Sequence, residues 1–182
     1  MSNIFRTYLI SLCPLIYILS ISLFSNNIIN PLSYLIISSG HIIIIFLILI
    51  IIVPLLNSSF KIIDRRSLGL VTFGYAVFHL LLYMIDNSFD FNFLVYEIMH
   101  LSYIQIGYIG VLLFIPLVFT SNDYIKKRLV DKWAIIHKLI YIIILVSFIH
   151  YYLIIKADYY LISLYILIFI MVFFLKTMRH LK

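Results

Sequence analysis

Six stretches of this chain, each close to twenty residues long, are almost free of charge. An apolar run of about that length spans the hydrocarbon core of a bilayer as an α-helix. In lipid, only a helix or a closed barrel satisfies its own backbone. The runs fall at about residues 7–25, 33–56, 67–85, 101–119, 134–155 and 159–176. They predict an all-α integral membrane protein, a six-transmembrane-helix bundle forming one domain over residues 1–182. Composition agrees, with 65% of residues hydrophobic and 11% charged, against about 25% charged in a soluble domain. That excludes an ordinary water-soluble fold.

Charge sets the expected orientation. Of the thirteen Lys and Arg residues, six spans place twelve on one side: Arg6, Lys61, Arg65, Arg66, Lys126, Lys127, Arg128, Lys132, Lys138, Lys176, Arg179 and Lys182. Only Lys156 falls on the other. The positive-inside rule then puts both termini in the cytoplasm and Asp86, Asp90, Glu97 and Asp158 outside. The net charge of +6 therefore reads as a topology signal beside apolar runs. The expected partner is a lipid bilayer and no nucleic acid. Arg6 precedes an apolar run as in a signal peptide, yet the run continues to Phe24 with no small-x-small cleavage pattern, so it reads as a retained first helix. The lone cysteine, Cys13, excludes an internal disulfide and a cysteine metal cluster. The isoleucine runs at 42–45 and 50–52 report hydrophobicity rather than function.

Chemistry is left to the histidines. His180 falls in the tail after the last run, where it is solvated; His41, His79, His100, His137 and His150 lie in or at the edge of apolar helices. Ionisable groups there are costly and face a bundle interior or a cavity. A single one reads as a packing histidine, but several together point to a cofactor site built from facing helices. Depth selects a pair. His79 lies about 13 residues into the third helix and His150 about 16 into the fifth, and both helices start from the same side. At 1.5 Å per residue, both imidazoles reach roughly 20–24 Å into a core about 30 Å thick. Two neutral imidazoles at one level can hold a heme iron from both faces. With no CxxCH motif in the chain, such a heme is non-covalent.

His137 lies thirteen residues before His150, about 20 Å along the axis. That separation suits a second, inner heme, although thirteen residues at about 100° each leave the two side chains off one face. Either a tightened turn corrects the phase or His137 ligates no stacked heme. The position fourteen before His79 is Arg65, which suits a heme propionate or a lipid phosphate better than iron. His41 and His100, near the outer edge, read as interfacial residues, with a quinol or partner site as the alternative.

Several segments together resemble one family. Residues 64–70 read Asp-Arg-Arg-Ser-Leu-Gly-Leu and 78–83 read Phe-His-Leu-Leu-Leu-Tyr, similar to RRxLGL…HLxxY. Residues 117–121, Leu-Val-Phe-Thr-Ser, resemble an LALTS turn. Residues 132–141, from Lys132 and Trp133 through His137 to Tyr141, resemble RWxxLHxLxY, and 149–151 resemble the stretch around that family's second fifth-helix histidine. The family is that of heme-binding membrane subunits of periplasmic methionine-sulfoxide reductase systems, within the ferric-reductase-like transmembrane superfamily. The resemblance covers most of residues 36–156. It implies that His79, His137 and His150 are heme-associated, with one or two b-type hemes, and it brings in FMN or quinone as further cofactor candidates. It implies an electron-transfer subunit of an oxidoreductase in a bacterial inner membrane. The electron source would be the quinone pool or a cytoplasmic flavin reductase, and the acceptor a periplasmic molybdopterin methionine-sulfoxide reductase. Two stretches depart from the family. Its His-x-Thr-Gly reads Ile-Ser-Ser-Gly at 37–40, followed by His41, and its Arg-Pro-Tyr reads Leu-Ser-Tyr at 101–103, after His100. Two other readings stand beside this one: a generic diheme cytochrome b with another acceptor, and a cofactor-free membrane protein.

Overall fold

Backbone groups in hydrocarbon must pair within their own segment, and the chain meets that condition with helices. The structure, a computed structural model, describes residues 2–56, 62–157 and 159–180. Lys61, Asp158 and Lys182, counted in the charge balance above, lie outside them. The described helices are α1 (Asn3–Phe24), α2 (Pro31–Ile52), α3 (Arg65–Asp86), α4 (Phe91–His100), α5 (Ser102–Phe119), α6 (Asp123–Leu129), α7 (Asp131–His137), α8 (Leu139–Ile154) and α9 (Tyr160–His180). Six stretches are long and apolar enough to cross a membrane: α1, α2 with its short 3-10 extension to Leu55, α3, α5, α7 together with α8, and α9. Six crossings return the start of α1 and the end of α9 to one face, here called the terminal face; the opposite one is the far face.

Polar residues mark the helix starts. The Asp64 carboxylate accepts from the Ser67 amide at 2.8 Å to cap α3, and Asn30 caps α2 ahead of Pro31. Both are favoured chemistry for a helix N-terminus. The isoleucine-rich α2 is the central helix. Ile42, Ile43, Ile44, Phe46, Leu47, Ile48, Ile50 and Ile51 are all buried, and α2 packs against α1, α3, α8 and α9. A helix apolar on every side is suited to a position with neighbours on every side.

Three features differ from the helix boundaries expected above. Before α5 comes the separate ten-residue α4, capped by Asp90 and exposing Phe91, Tyr96 and Met99. It is too short to cross, and its turn from α3 holds Ser88 and Phe89 at φ 52° and 54°. The fifth span divides at Lys138, where the Lys138 amide bonds to the Ile135 carbonyl and the Tyr141 amide to the Lys138 carbonyl. Those three-residue steps are a tightened turn, lying between His137 and His150. Finally, α9 runs through His180, so the residues read as tail continue the last helix.

Polar ties pull α1 onto α3. The Tyr75 hydroxyl donates to the Ser11 carbonyl at 2.7 Å in a buried position, and Thr7 Oγ1 accepts from the Asp64 amide at 2.7 Å. A buried bond of this kind contributes about 1 kcal/mol. Tyr75→Phe should therefore lower stability by about that amount, read as an earlier thermal unfolding transition in detergent. An unchanged transition would mean the bond contributes nothing.

Candidate functional site

The pair selected by depth meets in the structure. His79 on α3 and His150 on α8 face each other with ring centroids 6.3 Å apart and planes at 84°. Each ring is held by the backbone of the next helix. His79 Nδ1 donates to the Ile36 carbonyl at 3.0 Å and approaches Ser39 Oγ at 3.1 Å, both on α2. The Ser39 hydroxyl gives its own proton to Ile36, so toward His79 it accepts. His150 Nδ1 donates to the Tyr103 carbonyl of α5 at 2.7 Å. Carbonyl oxygens only accept, so both rings carry their proton on Nδ1 and their lone pair on Nε2. Among the described residues, neither Nε2 has a hydrogen-bond partner.

Two glycines seat these rings. A Cβ at Gly107 on α5 would lie 2.9 Å from His150 Cε1, and a Cβ at Gly40 on α2 would lie 3.4 Å from His79 Cε1. The first is a clash and the second ordinary contact. Metal–imidazole bonds run about 2 Å, so an ion held between two rings from opposite sides sets their centroids roughly 6 Å apart. The observed separation matches, and anchoring Nδ1 to a carbonyl is the usual way of aiming Nε2 at a metal. The donor set therefore fits an iron that His79 and His150 would hold through their Nε2 atoms. Among the described residues there is no cluster of three or more His, Cys, Asp or Glu that could hold a metal by itself.

The other candidates lie apart from this pair. His137 lines a separate cavity of about 400 Å³ with Arg65, Gly69, Trp133, Lys138 and Lys176. Its ring lies 4.1 Å from that of Trp133, tilted by 31°, and its Nε2 meets Thr120 Oγ1 at 3.1 Å. Thr120 donates its own proton to the Pro116 carbonyl, so His137 holds its proton on Nε2, the opposite tautomer from the facing pair. A Cβ at Gly69 would meet nothing within 4 Å. Arg66 is tied to Asp123 at 2.6 Å on the surface, whereas Lys176 reaches the Tyr141 hydroxyl. His100 is exposed and bonds within its own helix to the Tyr96 carbonyl. His41, in contrast, is half-buried, with Nδ1 3.2 Å from the Tyr165 hydroxyl and its ring edge-on to Tyr151.

Sequence reasoning missed the parts that aim the rings: the carbonyls of Ile36 and Tyr103, Ser39, and the seating role of Gly40 and Gly107. Glycines on α2 and α5 were the available signal, but which side chain each faces depends on how the helices pack.

Membrane bundles with paired inward imidazoles form a class that holds cofactors between facing helices. Residues 41–148 match the family described as ferric reductase like transmembrane component. A relative from Caulobacter vibrioides, named protein-methionine-sulfoxide reductase heme-binding subunit MsrQ, is 40% identical over 97 residues, which is 52% of this chain and 46% of the relative. A relative of the same name from Agrobacterium fabrum is 30% identical over 152 residues, 81% of this chain and 71% of the relative. A third, from Brucella ovis, is 36% identical over 94 residues, 51% of this chain and 43% of the relative. The matched stretch thus spans under half the length of two of these relatives. No solved structure matches the chain. The chain belongs to the ferric-reductase-like transmembrane family and stands among its MsrQ members.

The seating geometry makes a contrasting prediction. Gly107→Ala should drive the His150 ring off the Tyr103 carbonyl and destabilise by about 1–3 kcal/mol. Gly40→Ala should be neutral, or gain up to about 1 kcal/mol of helix propensity. Thermal unfolding of both variants in detergent checks this; equal effects would contradict the seating.

Proposed function

We propose that this chain is an electron-transfer subunit carrying b-type heme between His79 and His150. The observation that supports it most is the facing pair itself: two imidazoles 6.3 Å apart, each with Nδ1 tied to a backbone carbonyl and Nε2 available. Relatives named as heme-binding subunits add to that support. When bound, the heme would supply one-electron chemistry, with a potential that the residues holding it, His79 and His150, help set.

The protein's own residues supply position. The Ile36 and Tyr103 carbonyls fix the tautomer and aim of the two ligands. Phe148, Ile144 and Ile143, on the same helix as His150, are buried, which keeps that helix's inner side in a low-dielectric environment. His137 and Arg65 we assign to an inner cofactor position in the second cavity, with Arg65 facing an anionic arm. For His137 to reach an iron it must give up Thr120. FMN or quinone are the other candidates for that cavity.

By the positive-inside rule the terminal face, which carries Arg65, Arg66, Lys126, Lys127 and Arg128, is cytoplasmic. The pair at His79 and His150 then lies toward the periplasmic side of a bacterial inner membrane. Electrons would come from quinol or a cytoplasmic flavin reductase and leave to a periplasmic molybdopterin enzyme that reduces methionine sulfoxide. The relatives' names support a methionine-sulfoxide reductase system.

Purified protein should show the reduced absorption bands of a low-spin b heme. His79→Ala and His150→Ala should each abolish the bands of the heme held by this pair, while His137→Ala keeps them. Pyridine hemochrome quantitation should fall from two hemes to one in His137→Ala if the second cavity holds heme. Colourless wild-type protein from heme-supplied cells would overturn the reading.

A further inference from the structure

The last span carries a cation that the proposed function leaves without a role. Lys176 on α9 is half-buried. Its ammonium donates to the Tyr141 hydroxyl and lies 5.0 Å from the centre of the same ring. A phenol and a ring face hold an ammonium in place without cancelling its charge. No carboxylate cancels it either: among the described residues the one salt bridge is Arg66 to Asp123. Keeping such a charge within a span is costly, and in membrane proteins it marks a functional site.

Lys176 lines the terminal-face cavity of about 400 Å³ together with Arg65 and Lys138. All three lie within about two turns of the terminal-face end of their spans, the level at which lipid headgroups stand. The carboxylate in the lining is that of Asp64, and it is occupied by the Ser67 amide and hydroxyl at 2.8 and 2.6 Å. The uncharged polar groups are occupied too. The Ser121 hydroxyl donates to the Leu117 carbonyl, the Trp133 indole N–H to the Thr120 carbonyl, and His137 Nε2 to Thr120 Oγ1. Most of the remaining wall is hydrocarbon, from Ile50, Leu70, Phe114, Leu117, Val118 and Ile140.

What the cavity has left to offer is positive charge and apolar surface. A bare anion would leave the apolar wall uncovered. A body rich in hydrogen-bonding groups would find those of the lining already taken, and burying it unpaired is costly. A phosphate carried on hydrocarbon chains meets both conditions. Arginine presents a fork to phosphate oxygens and lysine a point charge, and basic pockets between membrane helices hold anionic headgroups.

We propose that the terminal-face cavity is a binding site for an anionic phospholipid, with its phosphate among Arg65, Lys138 and Lys176 and part of a chain against the apolar wall. The same cavity is the inner cofactor position assigned above, so lipid and cofactor are alternative occupants. That competition rests on the cofactor reading; lipid binding itself does not.

Thermal unfolding of the purified protein in mild detergent tests the site, with short-chain phosphatidylglycerol, phosphatidylcholine of the same chain length, or inorganic phosphate added in rising amounts. A ligand that binds only the folded state raises the transition with concentration. Phosphatidylglycerol should do so and saturate, while the other two leave the transition in place. This comparison is made in wild type and stands even where a variant fails to fold. Lys176→Gln and Arg65→Gln should each weaken phosphatidylglycerol binding by about tenfold or more, as loss of a charged hydrogen bond does. Lys127→Gln and Arg128→Gln, outside the cavity lining, should leave it unchanged. An equal shift with phosphatidylcholine, or the same shift with inorganic phosphate, overturns the lipid site, the first as unspecific lipid contact and the second as free-phosphate binding. Equal losses in Lys127→Gln and Lys176→Gln overturn it as diffuse surface charge. Heme bands recorded on the same samples read the His79 and His150 pair separately, so failure of one reading is told apart from failure of the other.

Discussion

A nitrogen or oxygen placed in hydrocarbon has no water to fall back on. Each one must find a partner inside the protein or cost several kcal/mol. The polar contacts across this bundle answer that condition. The Tyr75 hydroxyl reaches the Ser11 carbonyl, the His79 and His150 imidazoles reach carbonyls on neighbouring helices, and His41 meets Tyr165. The same condition that makes the chain helical makes its histidines informative. With Nδ1 satisfied by backbone, the ring has one remaining function to offer, a lone pair on Nε2.

Element existence was legible in the sequence because it depends on length and polarity alone. A run of apolar residues near twenty long has one stable arrangement in lipid, and all six spans appear where the runs lie. Depth was legible too, since rise per residue is constant; that is why His79 and His150 could be paired before their contact was seen. Angular position was not. In α2 nearly every residue is apolar, so no stripe tells which side faces α3 and which faces α9. His41 accordingly read as interfacial, although its ring sits against Tyr151 and Tyr165. The ten-residue α4 lacks the length that marks a span. The break at Lys138 arises from two three-residue hydrogen bonds, with no proline or glycine to announce it.

The two histidine positions differ in kind as well as in depth. The facing pair is anchored on backbone carbonyls of neighbouring helices. His137 sits in a cavity ringed by Arg65, Lys138 and Lys176, with its ring 4.1 Å from that of Trp133, and its proton is on the other nitrogen. The tightened turn at Lys138 advances the helix phase between them, the direction needed if thirteen residues are to approach the facing that fourteen would give. His137 keeps its Thr120 contact, and the two positions have separate surroundings rather than forming one repeated site.

Using backbone as the orienting acceptor has a consequence for how such a site is encoded. Where a metal-bound histidine is aimed by a carboxylate, the partner is a residue type and can be found as a motif. Here the partners are the carbonyls of Ile36 and Tyr103, which any residue would supply. What encodes them is the register of α2 against α3 and of α5 against α8, together with a residue small enough to let the ring approach. Gly107 meets that second requirement strictly, since a methyl group there would intrude to 2.9 Å from the His150 ring. Gly40 meets it more loosely at 3.4 Å. The constraint on the ligands is therefore carried by glycine and by helix packing, and the rigidity of two packed helices stands in for the specificity of a side chain.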